Sequence, residues 1–166
     1  LLVILPIALP GIVTGIALNN VFTSYMGGLP FLSILIGHAT FCIVVVYNNA
    51  LARLRRVGMS FDEASMDLGA TSWTTFRLVT FPQIRASLVA GAVLAFGLSF
   101  DEIIVTTFTA PPNVQTLPIW IFNNLFRPNQ APIVNAVAAA LVLLSIIPVY
   151  FAQRLSGGAS TAGGRI

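Results

Sequence analysis

Asp101 and Glu102 are two adjacent acids in an otherwise apolar stretch of the chain. An acid inside a membrane is costly, so it is expected to face protein or water rather than lipid. Such carboxylates could compensate the charge of a dicationic or polycationic substrate during its passage. They could equally be structural and accept hydrogen bonds from the backbone or from Thr106, Asn48 or Asn49. The residue types alone leave both roles open.

Helical spacing places both acids on one broad face of small residues. Asp101 shares its row of that face with Gly97, Val93 and Ala90, and Glu102 shares its row with Ser99, Ala95 and Gly91. Small side chains allow a neighbouring helix to approach closely. We therefore expect this face to pack inside a helix bundle or to line a pathway, and not to contact lipid.

The single histidine, His38, and the single cysteine, Cys42, do not indicate metal or redox chemistry. We interpret His38 as a hydrogen-bonded packing residue, because a metal site needs further ligands and no second histidine exists. His38 and Ser99 could nominally form a protease pair, and Asp101 could be half of an aspartyl dyad. An intramembrane protease is a poor interpretation, because the predicted spans contain no second Asp. The sequence thus predicts no catalytic residue, metal or cofactor.

Composition indicates a membrane protein. The chain is 57% hydrophobic and 8% charged, against roughly 25% charged residues in soluble domains. Its eight basic residues are all Arg and form no dense patch, so we expect no nucleic-acid partner. Apolar segments predict an all-α transmembrane helix bundle with four spans of about 20 residues each. The predicted spans are Leu1–Asn20, Leu32–Ala52, Ala86–Phe108 and Ala131–Ala152.

Two further features bear on the ends of the chain. The sequence begins inside an apolar run without an initiator Met, so we interpret it as a C-terminal fragment with further sequence upstream. Pro6 and Pro10 predict a kinked first span, because each removes a backbone hydrogen bond. The membrane domain is predicted to cover residues 1–155. Residues 156–166 are rich in Gly and Ser and are predicted to form a disordered cytoplasmic tail.

The distribution of Arg predicts the orientation. Seven of the eight Arg residues lie in the loop 53–85 or after the fourth span, and Arg127 alone lies on the other side. Cytoplasmic flanks of membrane spans collect Arg. We therefore expect the loop and the tail to lie on the cytoplasmic side of a membrane that the chain crosses several times.

The loop 53–85 contains residues that typically start and end short helices. Ser60 and Glu63 are spaced as a capping box, which predicts a helix from Phe61 to Leu68. Gly69 can adopt the left-handed conformation that ends such a helix. A second short helix is predicted near Ser72, and Pro82 is predicted to end it at about Thr80.

This short helix is expected to face a protein. Its predicted outer side carries Phe61, Ala64, Ser65 and Leu68, with acids beside them. A helix that lies on lipid headgroups usually has a basic polar face, whereas this one is acidic. The pattern therefore favours docking in the groove of a protein partner.

The loop also resembles a known family. Glu63-Ala64-Ser65-Met66-Asp67-Leu68-Gly69, followed by Val79-Thr80-Phe81-Pro82, is similar to the EAA loop of binding-protein-dependent ABC importer permeases. That pattern is E-A-A, three residues, G, nine residues, then I-x-L-P. Ser65, Val79 and Phe81 are mild departures from it. The stretches Leu9-Pro-Gly-Ile-Val13, Gly37-His-Ala-Thr-Phe-Cys42, Ser99-Phe-Asp-Glu-Ile-Ile-Val105 and Thr116-Leu-Pro-Ile119 resemble the spermidine/putrescine branch.

The resemblance implies a fold, a role and a set of partners. The fold is the type I ABC importer permease bundle, and the role is inward movement of a small solute, such as putrescine or spermidine. The partners are an ABC ATPase dimer, a second permease subunit and a periplasmic solute-binding protein. The positions implied in ATPase coupling are Glu63, Ala64, Ser65, Asp67, Leu68, Gly69 and Pro82.

ATP hydrolysis is expected in a partner rather than in this chain. The sequence has no GxxxxGK[ST] loop and contains no Lys, which such a phosphate-binding loop requires. We therefore expect a transport subunit and not an enzyme. A membrane channel or facilitator without an ATPase is the alternative, and the EAA-like loop argues against it.

Overall fold

A computed structural model describes residues 9–157, and all regular elements within this range are helical. The helices are α1 (Gly11–Met26), α2 (Phe31–Val57), α3 (Ser60–Asp67), α4 (Ser72–Thr75), α5 (Phe81–Phe100), α6 (Ile104–Thr109), α7 (Leu117–Asn124) and α8 (Ala131–Gly157). A π-helix, Phe76–Thr80, joins α4 to α5, and a 3₁₀ turn, Pro128–Gln130, precedes α8. The described residues confirm the all-α class.

Three helical stretches in the described part of the chain are long and apolar enough to cross a membrane. They are Phe31–Val57, Ser72–Phe100 and Pro128–Tyr150, which overlap the second, third and fourth predicted spans. Residues 1–8 of the first predicted span lie outside the described residues. The rest of that span overlaps α1, which is 16 residues long.

The predicted kink at Pro10 is wrong. Pro10 precedes α1 as its N-cap residue, with φ −55° and ψ 134°. At that position the missing N–H of proline removes no intrahelical hydrogen bond, so the helix starts after it without distortion. The other predicted kink, at Pro6, falls outside the described residues.

The predicted span Ala86–Phe108 is divided, which corrects the expectation of one continuous helix. α5 ends at Phe100, and α6 begins at Ile104. The break lies at the two acids, where the Glu102 carboxylate accepts a hydrogen bond from the backbone N–H of Val105 at 2.8 Å. That bond satisfies an amide at the start of α6, so a new helix can begin there.

The chain divides into two compact units. Among the described residues, one unit comprises residues 9–44 and 95–147, and the other comprises residues 45–94 and 148–157. In the first unit, α1 packs along α6. A Cβ atom added to Gly15 would lie 2.8 Å from a ring carbon of Phe108, so this glycine is required for the close approach. Gly15 of α1 thus serves helix packing, because a small residue lets a neighbouring helix approach closely.

The second unit brings α2 and α5 together in the same way. A Cβ atom on Gly91 of α5 would lie 3.0 Å from the Cα atom of Val46 in α2. Because the obstructing atom belongs to the backbone, a larger side chain could be accommodated only by moving a helix. The Arg53 side chain also donates from Nε to the Gln83 carbonyl at 3.1 Å, which fixes the end of α2 to the start of α5.

α8 is the most exposed of the three long helices. Its side chains Val142, Leu143 and Leu144 are more than half exposed, which is expected of a helix that contacts lipid or another subunit. The helix continues to Gly157, so Ser156 and Gly157 of the predicted disordered tail are helical. Residues 158–166 of that tail lie outside the described residues.

Candidate coupling loop and membrane acids

The start of α3 differs from the predicted capping box. The N-cap residue is Met59, and no side chain caps the helix. The Glu63 amide already donates to the Met59 carbonyl at 3.0 Å, so it is not free to bond the Ser60 hydroxyl. Gly58, with φ +74°, turns the chain just before Met59 and lets the helix begin one residue earlier than predicted.

The end of α3 confirms the prediction for Gly69. This glycine has φ +85°, a left-handed conformation that strongly favours glycine. Its N–H donates to the Met66 carbonyl at 2.9 Å, and the Ala70 N–H donates to the Ser65 carbonyl at 3.2 Å. These two bonds form a Schellman motif, which ends the helix and turns the chain toward α4.

Two side-chain hydrogen bonds attach α3 to the base of the third span. Thr80 donates from Oγ1 to Oδ1 of Asp62 at 2.9 Å, and the hydroxyl groups of Ser65 and Thr75 are 3.0 Å apart. Asp62 and Ser65 are half-buried as a result. Ser65 therefore faces α4 and not outward, which corrects its predicted place on the exposed side. Sequence patterns do not reveal the bonding roles of Asp62, Thr75 and Thr80. Bonded residues lie up to 18 positions apart in the chain, so no local pattern indicates that they are partners.

The remaining surface of α3 is exposed and combines apolar with acidic side chains. Leu68 is 90% exposed and Phe61 is 60% exposed. Ala64, Glu63 and Asp67 are exposed beside them. An eight-residue helix with this much exposed apolar surface and two free acids is suited to a protein groove with basic groups at its rim.

Pro82 does not end the second loop helix, contrary to the prediction. It lies near the start of α5, and the turn before it widens into the π-helix Phe76–Thr80. Proline has no N–H to donate to the Leu78 carbonyl, and its ring crowds that carbonyl. The Phe81 N–H instead donates to the carbonyl of Phe76, five residues earlier. The helical path from Ser72 therefore continues into the third span.

The two membrane acids have different surroundings. Glu102 is half-buried, and one of its oxygens is used by the Val105 amide. Asp101 is exposed, and its carboxylate makes no hydrogen bond to the described residues. Gly97, one turn before Asp101, has no atom near its Cβ position, whereas Ala95 in the Glu102 row is buried. Close to the acids the two rows thus differ: the Glu102 row is buried at Ala95, and the Asp101 row is open at Gly97.

His38 joins the two helices on either side of the break. Its Nδ1 atom lies 2.7 Å from the Ser99 hydroxyl, and its Nε2 atom lies 2.7 Å from the Thr106 hydroxyl. Thr106 gives its own proton to the Glu102 carbonyl at 2.9 Å, so it must accept from His38 Nε2–H. Nδ1 is then the acceptor for Ser99. The second ring nitrogen bonds a threonine and not an orienting carboxylate, which identifies a packing role and not a catalytic triad.

Side chains also satisfy the other end of α6. Asn19 of α1 donates from Nδ2 to the Phe108 carbonyl at 2.6 Å, and Ser33 of α2 donates to the Thr109 carbonyl at 2.6 Å. A helix interrupted within a membrane must have its free backbone groups bonded by the surrounding protein. Both ends of α6 therefore have such bonds, from Glu102 at its start and from Asn19 and Ser33 at its end.

The described architecture is that of a multi-pass membrane protein with a short exposed helix between two of its spans. The family described as "Binding-protein-dependent transport system inner membrane component" matches residues 1–159. The chain belongs to this family.

Relatives of known name agree with the match. The chain is 33% identical to the putrescine transport system permease protein PotI of Escherichia coli, over 82% of this chain and 50% of that protein. It is 34% identical to the spermidine/putrescine transport system permease protein PotC of Escherichia coli, over 89% of this chain and 55% of that protein. It is 28% identical to a putative 2-aminoethylphosphonate transport system permease protein, PhnV of Salmonella paratyphi A, over 86% of this chain and 53% of that protein. The chain spans about half the length of these relatives.

Proposed function

We propose that this chain is part of the permease subunit of an ABC importer that moves a polyamine, such as putrescine or spermidine, into the cell. The names of PotI and PotC support the polyamine class. The observation that carries the proposal is the loop. A short helix with exposed apolar and acidic side chains ends in a Schellman motif at Gly69 and is bonded to the base of a membrane span.

The hydrogen bonds of the loop connect α3 to a membrane span, so a movement of α3 can be transmitted to that span. In this proposal, an ATPase dimer closes on ATP and moves α3 as a rigid body. The Asp62–Thr80 and Ser65–Thr75 hydrogen bonds pass that movement to the π-helix and α5. The spans then switch between inward-open and outward-open states. ATP hydrolysis takes place in the ATPase, and this chain supplies the solute pathway.

The same proposal assigns partners and location. The transporter contains an ABC ATPase dimer and a second permease subunit, and a periplasmic solute-binding protein delivers the substrate. The protein lies in the inner membrane, with the loop and the C-terminal tail in the cytoplasm. The bias of seven Arg residues toward the loop and tail supports this orientation.

Asp101 is the better candidate for a pathway residue of the two acids. Its carboxylate is exposed in a membrane segment and makes no hydrogen bond to the described residues. A fixed negative charge of this kind can offset the charge of a passing cation. Glu102 also has a structural contact, because its carboxylate accepts from the Val105 amide in the first turn of α6.

Transport by the reconstituted importer tests the proposal. The full-length protein would be placed in proteoliposomes with its ATPase, second permease and solute-binding protein. Labelled putrescine or spermidine should accumulate only when the ATPase can hydrolyse ATP, and a catalytically inactive ATPase is the control. Uptake that does not need ATP hydrolysis would indicate a channel or facilitator. ATP-driven uptake of 2-aminoethylphosphonate without uptake of either polyamine would contradict the substrate class.

A further inference from the structure

One side chain, His38 of α2, is hydrogen bonded to both sides of the break between α5 and α6. On the α5 side, the Asp101 N–H still bonds back to the Gly97 carbonyl at 3.2 Å. On the α6 side, the Thr107 N–H bonds the Ile103 carbonyl at 2.9 Å. Since each of these backbone bonds lies on one side of the break, they do not fix the direction of one helix relative to the other.

The imidazole of His38 supplies a connection across the break. Ser99 lies in the last turn of α5 and Thr106 lies in the first turn of α6, and each hydroxyl is 2.7 Å from one imidazole nitrogen. By contrast, Cys42, one turn further along α2, bonds the α5 side through the Ala95 carbonyl at 3.4 Å. His38 therefore links the two helices, whereas its neighbour on α2 contacts one of them.

Asp101 lies between two points that this network holds. Ser99 donates to Nδ1 of His38, and Nε2–H donates to Thr106. Thr106 in turn donates to the Glu102 carbonyl at 2.9 Å. A helical threonine often bonds the carbonyl four residues earlier without help, so the imidazole adds the connection to α5. The backbone that carries the Asp101 carboxylate is thus held from both sides.

The packing around His38 keeps the imidazole in place. A Cβ atom on the preceding Gly37 would lie 3.2 Å from a methyl carbon of Val105, so α2 approaches α6 closely at this point. Thr106 is fully buried, and the ring of Phe41 lies 5.6 Å from the imidazole ring. Water therefore competes poorly for the bond between His38 and Thr106, and such a shielded hydrogen bond is stronger than one in water.

We propose that His38 is a positioning residue of the solute pathway, which holds the Asp101 carboxylate in the direction needed to meet a passing cation. This role rests on the proposed function, in which Asp101 offsets the charge of the solute, and adds the side chain that orients the acid. A residue that only packs would stabilise the bundle and would leave the action of Asp101 unchanged.

Two variants break the same hydrogen bond from opposite sides. Ser99→Ala removes the hydroxyl that bonds Nδ1, and alanine favours the helix, so α5 should still form. His38→Gln has an amide that reaches about as far as Nε2, so it can bond Thr106 and leaves Ser99 without its partner. Each variant should lower putrescine uptake per assembled complex about fivefold in proteoliposomes that contain the complete importer, which is the order expected for one hydrogen bond.

A control and a double variant separate positioning from stability. Ser87→Ala changes the same residue type in α5, but the Ser87 hydroxyl bonds the Ile84 carbonyl of its own helix at 2.7 Å, so uptake should not change. In an Asp101→Asn background, Ser99→Ala should have little further effect, because no charge remains to be positioned. Independent structural losses would instead multiply.

Thiol reactivity measures the orientation of position 101 without any solute. The probe is a water-soluble cationic thiol reagent, applied to Asp101→Cys in a full-length complex whose other cysteines, including Cys42, are replaced by Ala. Ser99→Ala should change the reaction rate at position 101 by about threefold or more, because this position is no longer held. Ser87→Ala should leave the rate unchanged.

Wild-type uptake in both Ser99→Ala and His38→Gln would refute the positioning role. Losses that multiply with Asp101→Asn, or a thiol reaction rate that Ser99→Ala leaves unchanged, would also refute it. Poor assembly of His38→Gln with wild-type uptake in Ser99→Ala would show that the imidazole only packs. Failure of the proposed function is distinct, because the wild-type transporter would then not move putrescine while the thiol reaction would still report the orientation of position 101.

Discussion

Replacing Gly69 with Val is expected to abolish solute uptake while the permease still inserts in the membrane. Gly69 has φ +85°, and no atom lies within 4 Å of its Cβ position, so the effect comes from the backbone and not from a clash. A residue with a Cβ atom pays roughly 1–2 kcal/mol in this conformation, and a β-branched residue pays at least that. The Schellman motif should open and release the end of α3 from its position next to α4.

The measurement is uptake and ATPase copurification for each variant, normalised to the amount of permease in the membrane. Gly28→Val is the matched control, because Gly28 also has open space around it but does not have a positive φ. Glu63→Lys should give the same loss by a different route. It reverses an exposed charge in the first turn of α3, where an acid is favourable. Normal uptake in both Gly69→Val and Glu63→Lys would exclude a coupling role for α3.

Asp101→Asn is expected to lower polyamine uptake about tenfold or more, which corresponds to about 1.4 kcal/mol of lost stabilisation along the pathway. The substitution keeps size and hydrogen-bonding capacity and removes the charge. Because the Asp101 side chain is exposed and has no bond to the described residues, the assembly and stability of the complex should survive. Basal ATPase activity should remain near normal, because the Asp101 side chain takes no part in the contacts of α3.

Glu102→Gln serves as the comparison for Asp101→Asn. The Glu102 carboxylate accepts from the Val105 amide in the first turn of α6, and the carboxamide of Gln at this position can still accept that bond. Uptake should be reported per assembled complex, and thermal stability should be measured in parallel. A structural acid would lower complex yield together with both activities. Wild-type uptake per complex in Asp101→Asn, in Glu102→Gln and in the double variant would rule out charge compensation and indicate a neutral substrate or a structural role.

Features that depend on local chemistry could be predicted from the sequence. Gly69 is an example, because a helix end with positive φ strongly favours glycine and the following residues bond back to the last turn. The second, third and fourth spans could be located because about 20 apolar residues are needed to cross the membrane. The exact residue at which α3 starts could not be predicted from the sequence. Ser60 and Glu63 have the spacing of a capping box, but Gly58 redirects the chain, so Met59 is the N-cap and the helix begins at Ser60.

Features that depend on distant partners could not be predicted. Hydropathy is unable to show that the helix stops at Phe100, because the residues on both sides of the break are similarly apolar, and the Glu102–Val105 hydrogen bond at the start of α6 has no hydropathy signal. The pairing of His38 with Ser99 and Thr106 joins residues more than 60 positions apart. The different surroundings of Asp101 and Glu102 likewise depend on which of the two side-chain rows of α5 packs against α2. The pair of acids is the sequence feature that could have indicated the helix break, since charges within a span are most easily accommodated where the helix is interrupted.

Coupling requires that α3 contacts a separate ATPase, and crosslinking in the intact transporter tests this contact directly. A photoreactive amino acid would replace Leu68, which is 90% exposed at the end of α3, or Tyr25, which is 86% exposed near the end of α1. The proposed orientation places Tyr25 on the periplasmic side, so the two positions are matched in exposure and differ in location. We expect a covalent adduct with the ATPase from Leu68 and none from Tyr25. No ATPase adduct from Leu68, or equal adducts from both positions, would contradict the proposed contact of α3 with the ATPase.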